Sequence, residues 1–115
     1  LKNNENVTKV VYPSSNEKNK QYFTKNLFGN LIGFHIDKGY EACKLFIDKL
    51  KLFYHVANIG DVRSLAIHPS STTHSQLSKE DQARAGVYDN YIRLSIGIEH
   101  IDDIINDIET ALNSI

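Results

Sequence analysis

The clearest alternation along the chain lies at residues 91–98, where Ile92, Leu94, Ile96 and Ile98 occupy every second position. In an extended strand these four share one face, which leaves Tyr91, Arg93, Ser95 and Gly97 on the other. Residues 31–36 repeat the pattern, with Ile32, Phe34 and Ile36 set against Leu31, Gly33 and His35, and predict a second strand. The period changes at residues 40–50. Tyr40, Cys43, Phe46, Ile47 and Leu50 form an apolar stripe, with Glu41, Lys44, Asp48 and Lys51 away from it, as in an amphipathic helix following Gly39. A second such stripe runs through Ile101, Ile104, Ile105, Ile108, Leu112 and Ile115. Asp102 and Asp103 sit in its first turn, each opposing the positive helix end by about 0.3–1 kcal/mol.

The remaining segments are weaker. Residues 1–10 read as a polar, flexible start, with the β-branched run of residues 7–12 able to form an edge strand. Residues 16–26 carry a faint helical pattern, and residues 52–56 a short strand. Residues 69–76 predict a loop, because Pro69 removes a donor and the hydroxyl residues after it compete for backbone hydrogen bonds. Ser78 with Asp81 three residues on resembles a capping box, and Gly86 suits the end of the helix it opens. The order predicts an α+β fold: a small, mostly antiparallel sheet covered on one face by helices, with residues 11–115 as a single domain.

At 115 residues there is room for one core, and 41% hydrophobic with 23% charged residues is ordinary for a globular domain. A formal net charge of −1 argues against a nucleic-acid surface. No apolar run approaches the roughly 20 residues of a membrane span, and no signal-peptide pattern opens the chain. The single cysteine, Cys43, excludes an intrachain disulfide and points to a reducing cytoplasm. The sequence contains no methionine and opens on Leu1, which reads as a processed or excised piece of a longer protein.

Arg93 is the candidate for chemistry. A guanidinium on the non-core side of a strand, with small residues Ser95 and Gly97 beside it, can grip a carboxylate through two parallel hydrogen bonds. From spacing alone, a surface arginine paired with a nearby acid is the commoner explanation. Ser70, Ser71, Thr72 and Thr73 could contact a ligand or satisfy their own turn. His68 and His74 lie at no common zinc spacing. Cys43 sits on an apolar stripe and reads as buried filler. Lys9 and Lys25 lie in no context that would desolvate an amine.

Three blocks together resemble a known family: Asn58-Ile-Gly-Asp-Val-Arg-Ser-Leu-Ala-Ile-His-Pro-Ser-Ser-Thr-Thr-His-Ser-Gln-Leu77, Ala85-Gly-Val87, and Ile92-Arg-Leu-Ser-Ile-Gly-Ile-Glu99. They look like the C-terminal domain of the Cys/Met-metabolism pyridoxal-phosphate enzymes, of fold type I. The Thr-Thr-His-Ser-Gln-Leu ending is closest to the O-acetylhomoserine sulfhydrylase branch. The similarity takes in residues 11–115, including 39–53.

The resemblance implies a small α+β domain whose large cofactor domain, with its Schiff-base lysine, lies outside this chain. It implies that Arg93 binds the substrate α-carboxylate, that Asn58 lies beside it, that Thr73 supports the same site, and that Ser64 belongs to the motif with less claim to direct contact. Several relatives have serine where Asn58 stands. His100 replaces an acid after Glu99 and bears on helix capping. The implied reaction replaces the acetate of O-acetylhomoserine by sulfide or a thiol, giving homocysteine or methionine. The cofactor is pyridoxal phosphate, the parent a homotetramer, and the fragment alone inactive. Two other readings stay open: a methionine or cystathionine γ-lyase of the same family, and a free-standing small-molecule-binding module.

Overall fold

The structure is a computed structural model that describes residues 1–25 and 27–115. A five-stranded sheet is built from β1 (Val7–Val11), β2 (Leu31–Ile36), β3 (Tyr54–His55), β4 (Leu65–Ile67) and β5 (Tyr91–Ser95). Their spatial order is β1-β2-β5-β4-β3. The β1–β2, β2–β5 and β5–β4 pairs are antiparallel, and β3 adds parallel to β4 at one edge. The helices are α1 (Glu17–Lys20), α2 (Gly39–Lys49), α3 (Lys79–Arg84) and α4 (Ile101–Leu112).

The core lies between one face of the sheet and helices α2 and α4. Phe34, Ile36, Ile92, Leu94 and Ala66 contribute from the strands; Cys43 and Phe46 from α2, and Ile104, Ile108 and Leu112 from α4, close over them. The alternation read in β2 and β5 describes which side chains enter the core as far as Ile96; β5 ends at Ser95, short of the expected residue 98, and Ile98 is exposed. Phe34 and Phe46 meet edge to face, with ring centroids 5.4 Å apart, a preferred geometry for aromatic pairs. Burial drives the Cys43 thiol up to about 12, so it remains a protonated apolar filler.

Several elements depart from the sequence reading. The expected boundary at residue 10 falls inside β1, which pairs with β2, and Leu1, Val7 and Val10 pack partly buried against the core. The helix expected over residues 16–26 is the single turn α1, because no residue in it is buried and nothing extends it; the Asn26 end of that expectation lies outside the described residues. The strand expected at residues 52–56 shrinks to Tyr54–His55. Beside it, β4 was not anticipated. All three of its residues are buried, so it carries no alternation.

The junctions are fixed by side chains. Ser78 caps α3, its Oγ accepting from Asp81 N at 3.2 Å and donating to the Asp81 carboxylate at 2.9 Å. This closes the reciprocal cap through the hydroxyl. His100 caps α4, its Nδ1 accepting from Asp102 N at 3.3 Å. Asp107, facing inward from α4, accepts from Lys51 N (2.9 Å) and Leu52 N (2.9 Å) and so fastens the chain leaving α2. No described helix is long and apolar enough to cross a membrane.

Candidate carboxylate site

The sheet face away from α2 and α4 carries Gly33 and His35 from β2, Tyr91, Arg93 and Ser95 from β5, and Leu65 and Ile67 from β4. In the registers Arg93 stands between Gly33 on one side and Ile67 on the other. Leu65 and Ile67 are buried outside the main core. The segment joining β3 to β4 crosses this face: Gly60 N donates to Ser95 Oγ at 3.1 Å, and Ser95 also accepts from Asn30 Nδ2 at 3.2 Å. Gly60 has φ of +76°, a conformation that a side chain would strain.

Arg93 reaches that segment. Its Nη2 donates to the carbonyl oxygens of Ala57 at 2.7 Å and Asn58 at 3.2 Å. Its Nε is buried and has no partner among the described residues. No described carboxylate is within ion-pair distance of the guanidinium. A buried charged donor without an acceptor carries a desolvation cost that a bound anion would remove. Arg93 borders a cavity of about 320 Å³, whose walls include Tyr91, Gly33, Leu31, Val11 and Pro13. Backbone carbonyls thus fix Nη2, while the enclosed Nε makes no hydrogen bond among the described residues.

The segment is held in turn by a turn after β5. Glu99 accepts from Ser64 N (2.6 Å) and Ser64 Oγ (2.9 Å), and Ser64 Oγ accepts from Gly97 N (2.9 Å). Ile98 N donates to Val62 O at 2.9 Å. A Cβ at Gly97 would collide with the Val62 carbonyl and stand 2.5 Å from Arg63 C, so only glycine permits this approach. Burial pushes the Glu99 carboxyl up, but donation from Ser64 N, its own N–H and the Ser64 hydroxyl outweighs that and leaves it below the usual range.

Of the residues singled out from sequence, Arg93 and the Asn58 carbonyl meet directly. Ser64 is fully buried and belongs to the scaffold beneath them. Thr73 is exposed and its hydroxyl bonds His74 Nδ1 at 2.8 Å, not Arg93. The rest of the polar loop closes on itself. Thr72 Oγ1 donates to His68 O (2.8 Å), and His68 is buried between Ser71 Oγ (2.9 Å) and Asp89 O (2.8 Å). Ser70 Oγ donates to Asp89 (2.5 Å), which Lys79 also contacts, and Gln82 Nε2 donates to Ser70 O (3.1 Å) and His74 O (2.8 Å). Burial lowers the His68 pKa and keeps the ring neutral. The sequence reading takes Ser95 only as a small neighbour of Arg93 and does not identify Asn30 or Glu99 as parts of this site. Their signal was only the presence of small or polar residues on the strand face and just after it.

The Cys/Met metabolism PLP-dependent enzyme family profile matches residues 1–113. The chain belongs to this family. It is 52% identical over 111 residues to the O-acetyl-L-homoserine sulfhydrylase of Leptospira meyeri, covering 92% of this chain and 25% of that protein. The O-acetyl-L-homoserine sulfhydrylase 1 of Thermus thermophilus is 50% identical over 111 residues, covering 92% and 26% respectively. A crystal structure from Campylobacter jejuni, described as an O-acetylhomoserine (thiol)-lyase with a pyridoxyl-lysine phosphate, superposes with a TM-score of 0.89 at 44% identity. It covers 97% of this chain and 28% of that one. The chain therefore spans about a quarter of the length of the relatives it matches. Family members use pyridoxal phosphate, but the residues described here do not fit that group as its anchor. The lysines are all exposed, so none offers a desolvated amine for a Schiff base.

Proposed function

We propose that this chain is the substrate-carboxylate end of a pyridoxal-phosphate-dependent O-acetylhomoserine sulfhydrylase. The observation that carries the reading is the buried, unpartnered Nε of Arg93 beside an Nη2 already pinned by two carbonyl oxygens. That arrangement holds the guanidinium in place before any ligand arrives, which lowers the cost of binding. Asn58 lies beside the carboxylate, and Ser64 acts through Glu99 by fixing the segment that presents the Asn58 carbonyl. Thr73 belongs to the outer loop and reaches the site only if its bond to His74 opens.

In the parent enzyme the Cγ–O bond of O-acetylhomoserine breaks and acetate departs with the bonding pair. Sulfide or a thiol then supplies the pair for the new Cγ–S bond, giving homocysteine or, from methanethiol, methionine. When bound, pyridoxal phosphate supplies the electron sink for this chemistry. Arg93 fixes the acid end of the amino acid, so that Cα and Cγ are presented in one orientation. We place the parent in the cytoplasm as a homotetramer.

In the full-length enzyme, Arg93→Ala is expected to raise KM for O-acetylhomoserine about a hundredfold, the loss of a charge-assisted hydrogen bond. An unchanged KM removes the assigned role. Sulfide-dependent homocysteine as the main product supports γ-replacement, and release of a keto acid without sulfide would assign the chain to a γ-lyase instead.

A further inference from the structure

Tyr91 precedes Arg93 by two residues on β5, so both side chains leave the same sheet face. Its ring crosses to the neighbouring strand and lies over Gly33. A Cβ at Gly33 would collide with the phenol oxygen and stand 2.6 Å from Cε2 and 2.7 Å from Cζ. Gly33 is also the residue directly opposite Arg93 in the β2–β5 register. The hydroxyl end of Tyr91 is therefore delivered beside the stem of Arg93, through a notch that only glycine leaves open. On its other flank the ring meets His35, with centroids 5.2 Å apart, and His35 is itself held by Asn90 Oδ1 at 3.0 Å. The ring is thus seated from two sides, while its hydroxyl has no hydrogen-bond partner among the described residues. Tyr91, Gly33 and Arg93 all line the same cavity of about 320 Å³.

We propose that Tyr91 is a second binding residue of this site, its phenolic O–H donating to the carboxylate that the Nε edge of Arg93 holds. The proposal rests on the assignment of Arg93 as the carboxylate anchor. A carboxylate offers about four lone-pair directions, so one guanidinium edge leaves acceptor capacity for a neutral donor at its side. Burial moves the Tyr91 phenol upward in pKa, more than the nearby Arg93 charge draws it down, so the O–H remains a donor at neutral pH.

The test uses the full-length enzyme with Tyr91→Phe, which keeps the ring over Gly33 and removes only the hydroxyl. Binding of L-homoserine, which lacks the acyl leaving group, is measured by calorimetry, alongside KM and kcat for O-acetylhomoserine. The expected result is a weakening of homoserine binding and a rise in KM of about tenfold each, with kcat and the melting temperature unchanged. 3-Aminopropan-1-ol, which is homoserine without its carboxylate, should bind wild type and Tyr91→Phe equally. Arg93→Ala separates the two readings. If it raises KM while Tyr91→Phe changes neither KM nor homoserine binding, Tyr91 is only a wall and the anchor assignment stands. If neither variant alters KM, both assignments fall. Equal weakening of homoserine and 3-aminopropan-1-ol by Tyr91→Phe would also overturn the proposal, because the hydroxyl would then serve another part of the ligand.

Discussion

Two polar regions of this domain differ in how they use their hydrogen bonds. The segment from His68 to Asp89 is dense in hydroxyl, imidazole and carboxylate groups, yet its buried groups find partners within it: Ser70 with Asp89, His68 with Ser71 and the Asp89 carbonyl, Gln82 with two carbonyl oxygens. The Arg93 region contains fewer polar residues and leaves one buried donor open. Composition alone favours the first region as a binding site, whereas the count of satisfied atoms favours the second. A closed network rigidifies a fold; an open donor on a rigid support has chemistry left to offer.

The contrast can be broken by substitution. Gly97→Ala should have the largest effect, since its methyl group meets the Val62 carbonyl and Arg63 backbone. A loss of about 3 kcal/mol or more in urea melts is expected, together with a raised KM because the same segment carries the Ala57 and Asn58 carbonyls. Gln82→Leu should cost about 2–3 kcal/mol, because it strands the carbonyl oxygen of Ser70 and leaves that of His74 with Leu77 N as its remaining donor, while leaving KM unaltered. A shifted KM there would show that the closed loop also communicates with the ligand.

Glu99→Gln should cost less than either, about 1–2 kcal/mol, since the amide keeps one acceptor for Ser64 but loses the charge. Its pH signature has a definite sign. The folded carboxyl is depressed below its unfolded value of about 4.3, so its contribution is complete above that pH and disappears as pH falls through the folded pKa. Urea midpoints of wild type should therefore fall more steeply with acid than those of Glu99→Gln, and parallel curves would contradict the cause given. The smallest effect is expected for Thr73→Ala. Its exposed hydroxyl contacts only His74, so stability should move by less than about 0.5 kcal/mol and KM by less than about twofold. A larger rise in KM would bring the outer loop into the site.

The elements that were legible beforehand are those with a repeating burial pattern. β2, β5, α2 and α4 each bury one face, and period two or 3.6 records that directly. β4 was not legible, because it is buried on both faces and leaves no period to detect. The parallel β3–β4 pair and the Ser64–Glu99 bonds join residues far apart in sequence, and local pattern does not encode such pairings. Arg93 could be placed on the correct face of the correct strand. Its open Nε could not, because that depends on which carbonyl groups the crossing segment presents. Thr73 drew attention by its motif, yet its hydroxyl is committed to its own neighbour.

The one sulfur atom of this chain has a practical consequence. Cys43 is fully enclosed and holds its proton up to about 12, so an alkylating reagent at neutral pH has almost no thiolate to attack while α2 stays docked. Labelling at this position then reports how often the helix lifts from the sheet, giving a clock for opening of the domain that needs no spectroscopic probe.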